Sequence, residues 1–394
     1  MPPIERIAVI GAGSMGHGIA QVAGMAGFNV ILIDVNKDAL ESSIKRICWS
    51  LNRFVEKGKI SGKDKEEVLM GIKTSTEMGE ASSSDFVIEA VPEKIELKKG
   101  LFAQLDRIVK KDAVLASNTS SLSISEISTA TSEPTRVIGM HFFNPPQLMK
   151  LVEVVKGKST SEKVVLTTLE VAKRFGKKAI LAKKDVPGSI VNRILYATTH
   201  EGLWAVYNKE NTLEEVDSTV KQIVGIPMGL FELFDYTGLD VMNEVDKILY
   251  KAYGERMSYP PIVEDLVSRG MLGQKTGQGF YNWKEGKPSF SPSSVGRFDI
   301  ERMYTSIVNE ASFLIYEDVT SPEEIDVGMK LGTNWPKGPC EIGDEIGLDN
   351  ILSKLKELQK RYGNERYKPC PLLETYVKMD WVGKKSSKGF YKYL

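Results

Sequence analysis

The chain has 394 residues, enough for two or three domains at roughly 100–200 residues each. Hydrophobic residues make up 42% and charged residues 26%, which excludes a collagen-like, disulfide-scaffold or largely disordered chain. Fifty-two basic residues balance 52 acidic ones, so a net-basic nucleic-acid binder is disfavoured. Cys48, Cys340 and Cys370 are far apart and form no CxxC, so they give neither a disulfide framework nor a zinc signature. No signal-peptide core and no 18-residue apolar run is visible. A soluble cytoplasmic protein without a membrane partner or a metal is expected.

In chain order, residues 4–10 predict a buried strand, 14–26 a helix that ends at Gly27, and 28–34 a second strand. This strand–helix–strand order is the unit of a parallel sheet with right-handed crossovers. Further strands are expected at 85–91, 113–116, 137–140 and 151–155, with helices between several of them. Residues 1–184 therefore read as one α/β domain.

After Asp185-Val186-Pro187-Gly188 long helical patterns dominate, beginning with 190–207. An internal repeat runs through this region. Glu214-Glu215-Val216-Asp217 recurs as Glu323-Glu324-Ile325-Asp326, Gly238-Leu239-Asp240 as Gly347-Leu348-Asp349, and Gly279-Phe280-Tyr281 as Gly389-Phe390-Tyr391. The offsets are 109, 109 and 110, and a Ser/Pro/Gly linker at 286–296 separates the copies. The region reads as two copies of one helical domain, 185–285 and 297–394. The predicted architecture is an α/β Rossmann-type domain followed by two tandem all-α domains.

Gly11-Ala12-Gly13-Ser14-Met15-Gly16 matches G-x-G-x-x-G after a predicted strand and at the start of a helix. Gly11 permits the tight turn, Gly13 lets backbone approach a pyrophosphate, and Gly16 lets the helix pack close to the strand. Gly11, Gly13, Ser14, Met15 and Gly16 are thus expected to bind a dinucleotide at the helix N-terminus. Asp34 ends the second strand, at the spacing beyond Gly16 where a carboxylate accepts hydrogen bonds from the adenosine ribose. A 2′-phosphate there meets repulsion of about 4 kcal/mol per charge pair at an effective dielectric of 20, and about 1 in water. NAD is therefore expected over NADP, although nearby Lys37 softens the preference.

His141 ends a predicted strand at the sheet's carboxyl edge, where ligands of such sheets bind. Glu153 follows in the next predicted strand, between the aliphatic residues of Leu151-Val152-Glu153-Val154-Val155. A carboxylate in such a strand needs a partner. The turn-forming Asn144-Pro145-Pro146 is able to fold Glu153 back onto His141, where a carboxylate fixes the ring tautomer and raises its basicity. Such a dyad is a general base. His17 and His200 are read as structural. Ser117-Asn118-Thr119-Ser120-Ser121 after the strand at 113–116 suits either a ligand oxygen or a helix cap.

These segments, with Lys150-Leu151-Val152-Glu153-Val154 and Pro187-Gly188-Ser189-Ile190-Val191-Asn192-Arg193, occur in an order that resembles the 3-hydroxyacyl-CoA dehydrogenases over essentially the whole chain. That family interconverts (S)-3-hydroxyacyl-CoA and 3-oxoacyl-CoA with NAD. The resemblance implies that His141 takes the 3-hydroxyl proton, Glu153 orients His141, and Ser120 and Asn192 bond the substrate oxygen. Asn144 corresponds to a further neighbour of the dyad. Glu89-Ala90-Val91-Pro92-Glu93 resembles a dinucleotide-contacting loop, with Glu93, Lys98 and Asn118 at cofactor positions. Arg53 and Lys57, four apart on one helix face, match cations that meet CoA phosphates, or else form a solvated face.

The family's helical domain normally occurs once and pairs two subunits, so the resemblance implies a second copy that replaces the partner and favours a monomer. Dimers through other surfaces stay open. At the place of Asn192-Arg193 the second copy has Glu301-Arg302, which predicts one active site per chain and a degenerate second copy. No hydratase activity is expected, since the chain stops after the second Gly-Phe-Tyr. Two other readings stand beside this one: a dehydrogenase of free hydroxy acids, and a non-catalytic NAD-binding protein of the same fold.

Overall fold

The computed structural model describes residues 3–363 and 365–393. The chain divides into two compact units, residues 1–186 and 187–394.

The first unit is built on one sheet in the order β3-β2-β1-β4-β5-β6-β7-β8. Its strands are β1 (Arg6–Ile10), β2 (Asn29–Ile33), β3 (Ile72–Ser75), β4 (Phe86–Glu89), β5 (Val114–Ser117), β6 (Val137–Phe142), β7 (Leu151–Val155) and β8 (Lys178–Ala182). The first six run parallel in the doubly wound order, with crossover helices α1 (Gly16–Met25), α2 (Lys37–Glu56), α3 (Gly62–Gly71), α4 (Ile95–Ile108) and α5 (Ile124–Ser128). β7 turns back antiparallel to β6, and β8 follows it parallel after α6 (Glu162–Arg174). β4, β5, β6 and β7 are buried along their whole length, as strands covered on both faces must be. β3 and β8, absent from the expected strands, carry exposed lysines (Lys73 and Lys178) and little apolar periodicity.

Small residues let α1 lie close to its neighbours. A Cβ on Gly16 would stand 1.7 Å from the Gly11 carbonyl oxygen, and one on Gly18 would stand 3.0 Å from Pro146. α2 starts on Asn36, whose side-chain oxygen accepts from the Asp38 and Ala39 N–H groups.

The second unit holds both helical copies. The first has α7 (Val191–Tyr207), α8 (Leu213–Thr219), α9 (Leu230–Thr237), α10 (Leu239–Tyr253) and α11 (Ile262–Ser268). The second has α12 (Ile300–Tyr316), α13 (Pro322–Thr333), α14 (Pro339–Ile346), α15 (Leu348–Tyr362) and α16 (Pro371–Lys378). The repeated motifs bond to one another in the same way in each. Asp217 accepts from the Phe231 and Glu232 N–H groups at the start of α9 and from the Tyr281 hydroxyl. Asp326 accepts from Cys340, Glu341 and Tyr391 in the corresponding places. Asp235 and Asp344 each accept two N–H groups from the Gly-Phe-Tyr turn of their copy. A Cβ on Gly229 or Gly338 would stand 2.2 Å from the capping aspartate, so the glycines leave room for the bolt.

Candidate functional site

β1 and β2 end side by side at the glycine turn. Gly11 has φ +101°, and a Cβ there would stand 2.7 Å from the Ala90 carbonyl oxygen, so only glycine fits. A Cβ on Gly13 meets nothing within 4 Å, which leaves an open approach to the backbone. Ser14 is exposed and Met15 half-buried between Gly13 and the helix start at Gly16. Asp34 closes the turn: its Oδ2 accepts the Ala12 N–H at 2.7 Å and its Oδ1 the Asn36 N–H at 2.9 Å. Each oxygen keeps a lone pair for a ribose hydroxyl. The turn, the open Gly13 and the carboxylate together fit a dinucleotide.

His141 and Glu153 are cross-strand partners in the β6–β7 ladder. The His141 Nδ1–H donates to Glu153 Oε2 at 3.1 Å. Glu153 is buried, and His141 keeps 8% of its surface exposed, at the carboxyl end of β6. The hairpin register, set by the ladder, places the pair directly opposite. Asn144 is exposed in the turn that joins the two strands.

Ser120 lies in the turn after β5. Its backbone N–H and that of Ser121 donate to Glu93 Oε1, at 3.0 and 3.2 Å. Burial pushes the Glu93 carboxyl up, but the Lys98 ammonium and the Thr119 hydroxyl more than offset it and hold it below the usual range. Lys98 is buried against Glu89 and Glu93, at 2.6 and 3.2 Å. Asn118 accepts the Phe142 N–H at 2.8 Å, next to His141. Glu93, Lys98 and Asn118 are thus joined to the serine turn and the histidine strand.

Sequence reasoning did not single out Glu89. It ends the apolar strand Phe86-Val87-Ile88-Glu89 and is fully buried. The signal that pointed to Glu153, a carboxylate in an aliphatic strand, was present there too. Lys177 was also missed. Its ammonium donates to the Pro146 and Met149 carbonyls at 2.6 Å each and ties down the turn after His141. Burial lowers it to about 8.

On α2, Arg53 pairs with Glu56 at 3.0 Å and lies 5.6 Å from the centre of the exposed Trp49 ring. Lys57 caps the helix and is exposed. Asn192 belongs to the second unit, in the first turn of α7, and Glu301 takes the same place in α12. His17 Nδ1 lies 2.8 Å from the Gly13 carbonyl oxygen, and His200 Nε2 bonds the buried Asp246 at 2.7 Å. Among the described residues no cluster of three His, Cys, Asp or Glu side chains suits a metal ion, and no helix is long and apolar enough to cross a membrane.

Residues 6–186 match the family of the 3-hydroxyacyl-CoA dehydrogenase NAD binding domain. Residues 188–283 and 298–393 each match the 3-hydroxyacyl-CoA dehydrogenase C-terminal domain. A probable 3-hydroxybutyryl-CoA dehydrogenase of Bacillus subtilis is 42% identical over 99% of this chain and 98% of its own. A 3-hydroxyadipyl-CoA dehydrogenase of Escherichia coli is 32% identical over 94% of this chain and 97% of its own. The crystal structure of a 3-hydroxybutyryl-CoA dehydrogenase from Escherichia coli superposes with a TM-score of 0.90 at 30% identity, covering 96% of this chain and 99% of that one.

Proposed function

The chain belongs to the 3-hydroxyacyl-CoA dehydrogenase family, and we propose that it interconverts (S)-3-hydroxyacyl-CoA and 3-oxoacyl-CoA, acetoacetyl-CoA among them. It is an NAD-dependent oxidoreductase. The observation that carries the reading is the His141–Glu153 pair, 3.1 Å apart at the carboxyl edge of the sheet that bears the glycine turn.

The carboxylate fixes the Nδ1–H tautomer, so Nε2 is the free base. His141 Nε2 takes the 3-hydroxyl proton in oxidation and returns it in reduction, a contribution of about 10²–10⁴ in rate. Glu153 stabilises the imidazolium formed. Ser120 and Asn192 hold the substrate oxygen, and Asn144 borders the dyad. Bound NAD supplies the hydride acceptor in oxidation. Gly11, Gly13, Ser14, Met15 and Gly16 hold its pyrophosphate, Asp34 its ribose, and Glu93, Lys98 and Asn118 border its site. Asp34 favours NAD over NADP.

Arg53 and Lys57 meet the CoA phosphates. The second helical copy, with Glu301 where the first has Asn192, is structural, and the chain works as a monomer with one site. Its unbridged Cys48, Cys340 and Cys370 suit a reducing compartment, and the cytoplasm is the proposed location.

The test is NADH oxidation with acetoacetyl-CoA, repeated with free acetoacetate and with NADPH. Turnover with the CoA ester and NADH alone supports the reading. Turnover with the free acid overturns the CoA assignment, and equal rates with NADPH overturn the role of Asp34. Two productive acyl-CoA sites per chain in a titration overturn the single-site reading.

A further inference from the structure

Glu89, Lys98 and Glu93 form a chain of charges that ends on the serine turn. Glu89 Oε1 accepts from Lys98 Nζ at 2.6 Å and from the Val91 N–H at 2.7 Å, while its Oε2 accepts the Ser117 hydroxyl at 2.5 Å. Lys98 is 1% exposed and sits in the first turn of α4, where the positive end of the helix opposes a cation. Its ammonium therefore requires both carboxylates, and it reaches Glu93 Oε2 at 3.2 Å.

The other Glu93 oxygen gathers the turn. Oε1 accepts the Ser120 N–H at 3.0 Å, the Ser120 hydroxyl at 3.4 Å, the Ser121 N–H and hydroxyl at 3.2 Å each, and the Thr119 hydroxyl. One oxygen gathers five donors only as part of an ionised carboxylate, because a protonated acid is a weaker acceptor and spends one site on its own proton. The buried ammonium favours that ionised form.

We propose that Lys98, anchored by Glu89, is a positioning residue: it keeps Glu93 charged and aimed, and Glu93 sets the turn that presents the Ser120 hydroxyl. The kinetic part of this inference rests on Ser120 as the substrate contact of the proposed function. The turn itself does not.

The test uses the full chain and three variants. K98M removes the ammonium. K98M/E89Q also removes the charge that K98M leaves unpaired. E89Q alone keeps shape and loosens the anchor. Hydrogen exchange in the peptide covering residues 117–121 is expected to rise about tenfold in K98M and in K98M/E89Q and about threefold in E89Q, while β1 and β5 keep their protection. KM for acetoacetyl-CoA should rise about fivefold or more, measured at saturating NADH because Lys98 and Glu93 also border the NAD site.

Unchanged exchange in a folded K98M or E89Q overturns the proposal. So does full recovery in K98M/E89Q, which would trace the defect to the orphaned Glu89. If K98M does not fold, E89Q decides alone. S120A is assayed in parallel: wild-type kinetics there sink the role of Ser120, and the exchange data still decide whether the charge chain sets the turn.

Discussion

Arg193 at the start of α7 is fully buried and bonds Glu310 of the second helical copy, its Nε donating to Glu310 Oε1 at 2.8 Å. Its Nη1 donates to Glu317 at the same distance. The partner contact runs the other way. At the offset of the repeat, Arg302 takes the place of Arg193 and Glu310 takes the place of Glu201. Arg302 bonds Glu201 and also Glu210, the latter at 2.6 Å. The two copies thus clasp each other through a reciprocal pair, as two subunits related by a two-fold axis would. Burial pushes the Glu201 carboxyl up, but Arg366 and Arg302 more than offset it and hold it below the usual range.

Breaking one side of a buried ion pair leaves a charge without its partner, at a cost of about 3–5 kcal/mol. R193M and E310Q should each destabilise the chain in urea unfolding, by less than that full cost because Arg193 keeps Glu317 at 2.8 Å and Glu310 keeps Arg256 at 3.6 Å. The double variant should cost less than the sum by about 1–3 kcal/mol, because neither charge is left exposed to an empty site. Strict additivity would mean that the pair does not act as a unit.

The dyad predicts two different kinetic losses. H141Q removes the base and should lower kcat by about 10²–10⁴. E153Q presents an amide N–H to Nδ1, which moves the ring proton to Nε2 and blocks the base. It should lower kcat by about 10²-fold or more, as wrong-tautomer variants do. NADH affinity, measured by fluorescence titration, should stay near wild type in both. Wild-type turnover in H141Q would remove the assignment.

The sheet and its site were legible to different depths. β1, β2 and β4 to β7 announce themselves as apolar runs, and Glu153 stands out because a lone carboxylate in such a run needs a partner. β3 has a single apolar residue, Ile72, and is not distinguished from loop, while the apolar run 179–182 of β8 was as readable as the run at 113–116 and was passed over. The repeat was visible as an offset of 109 to 110 residues, and its motifs turned out to bond within each copy. The clasp of Arg193 with Glu310 was not, because it joins residues far apart in the chain that no local pattern links. Lys98 was named only through the family resemblance, at a cofactor position, and its bond to the buried Glu89 has no local signal in the sequence.

Acid stability should depend on Asp106 in α4. Burial pushes its carboxyl up, yet Ser132 and Arg136 more than offset this and bring it down to about 2 from an ordinary 3.8. Its partners are the Ser132 hydroxyl at 2.6 Å and Arg136 Nη2 at 2.7 Å. A depressed carboxyl lends stability that is complete above its unfolded value and fades as pH falls from about 4 through about 2. The contribution is about 1–2 kcal/mol, and D106N should lose it at neutral pH and flatten the curve across that window. An unchanged slope of stability against pH in D106N would contradict this.

The glycine turn separates folding from cofactor binding in a pair of variants. A Cβ at position 16 would stand 1.7 Å from the Gly11 carbonyl oxygen, which is backbone and has nowhere to go. G16A should therefore cost the unliganded chain about 1–3 kcal/mol through overpacking, whatever it does to NADH. At position 13 the same methyl meets nothing within 4 Å. G13A should leave unliganded stability within about 0.5 kcal/mol of wild type. Its methyl occupies the space through which the backbone meets the pyrophosphate, so NADH affinity should fall by about tenfold or more. Urea unfolding without NADH, followed by NADH titration, distinguishes the two. A G13A variant that binds NADH as wild type does would show that the open face at Gly13 is not where the dinucleotide lies.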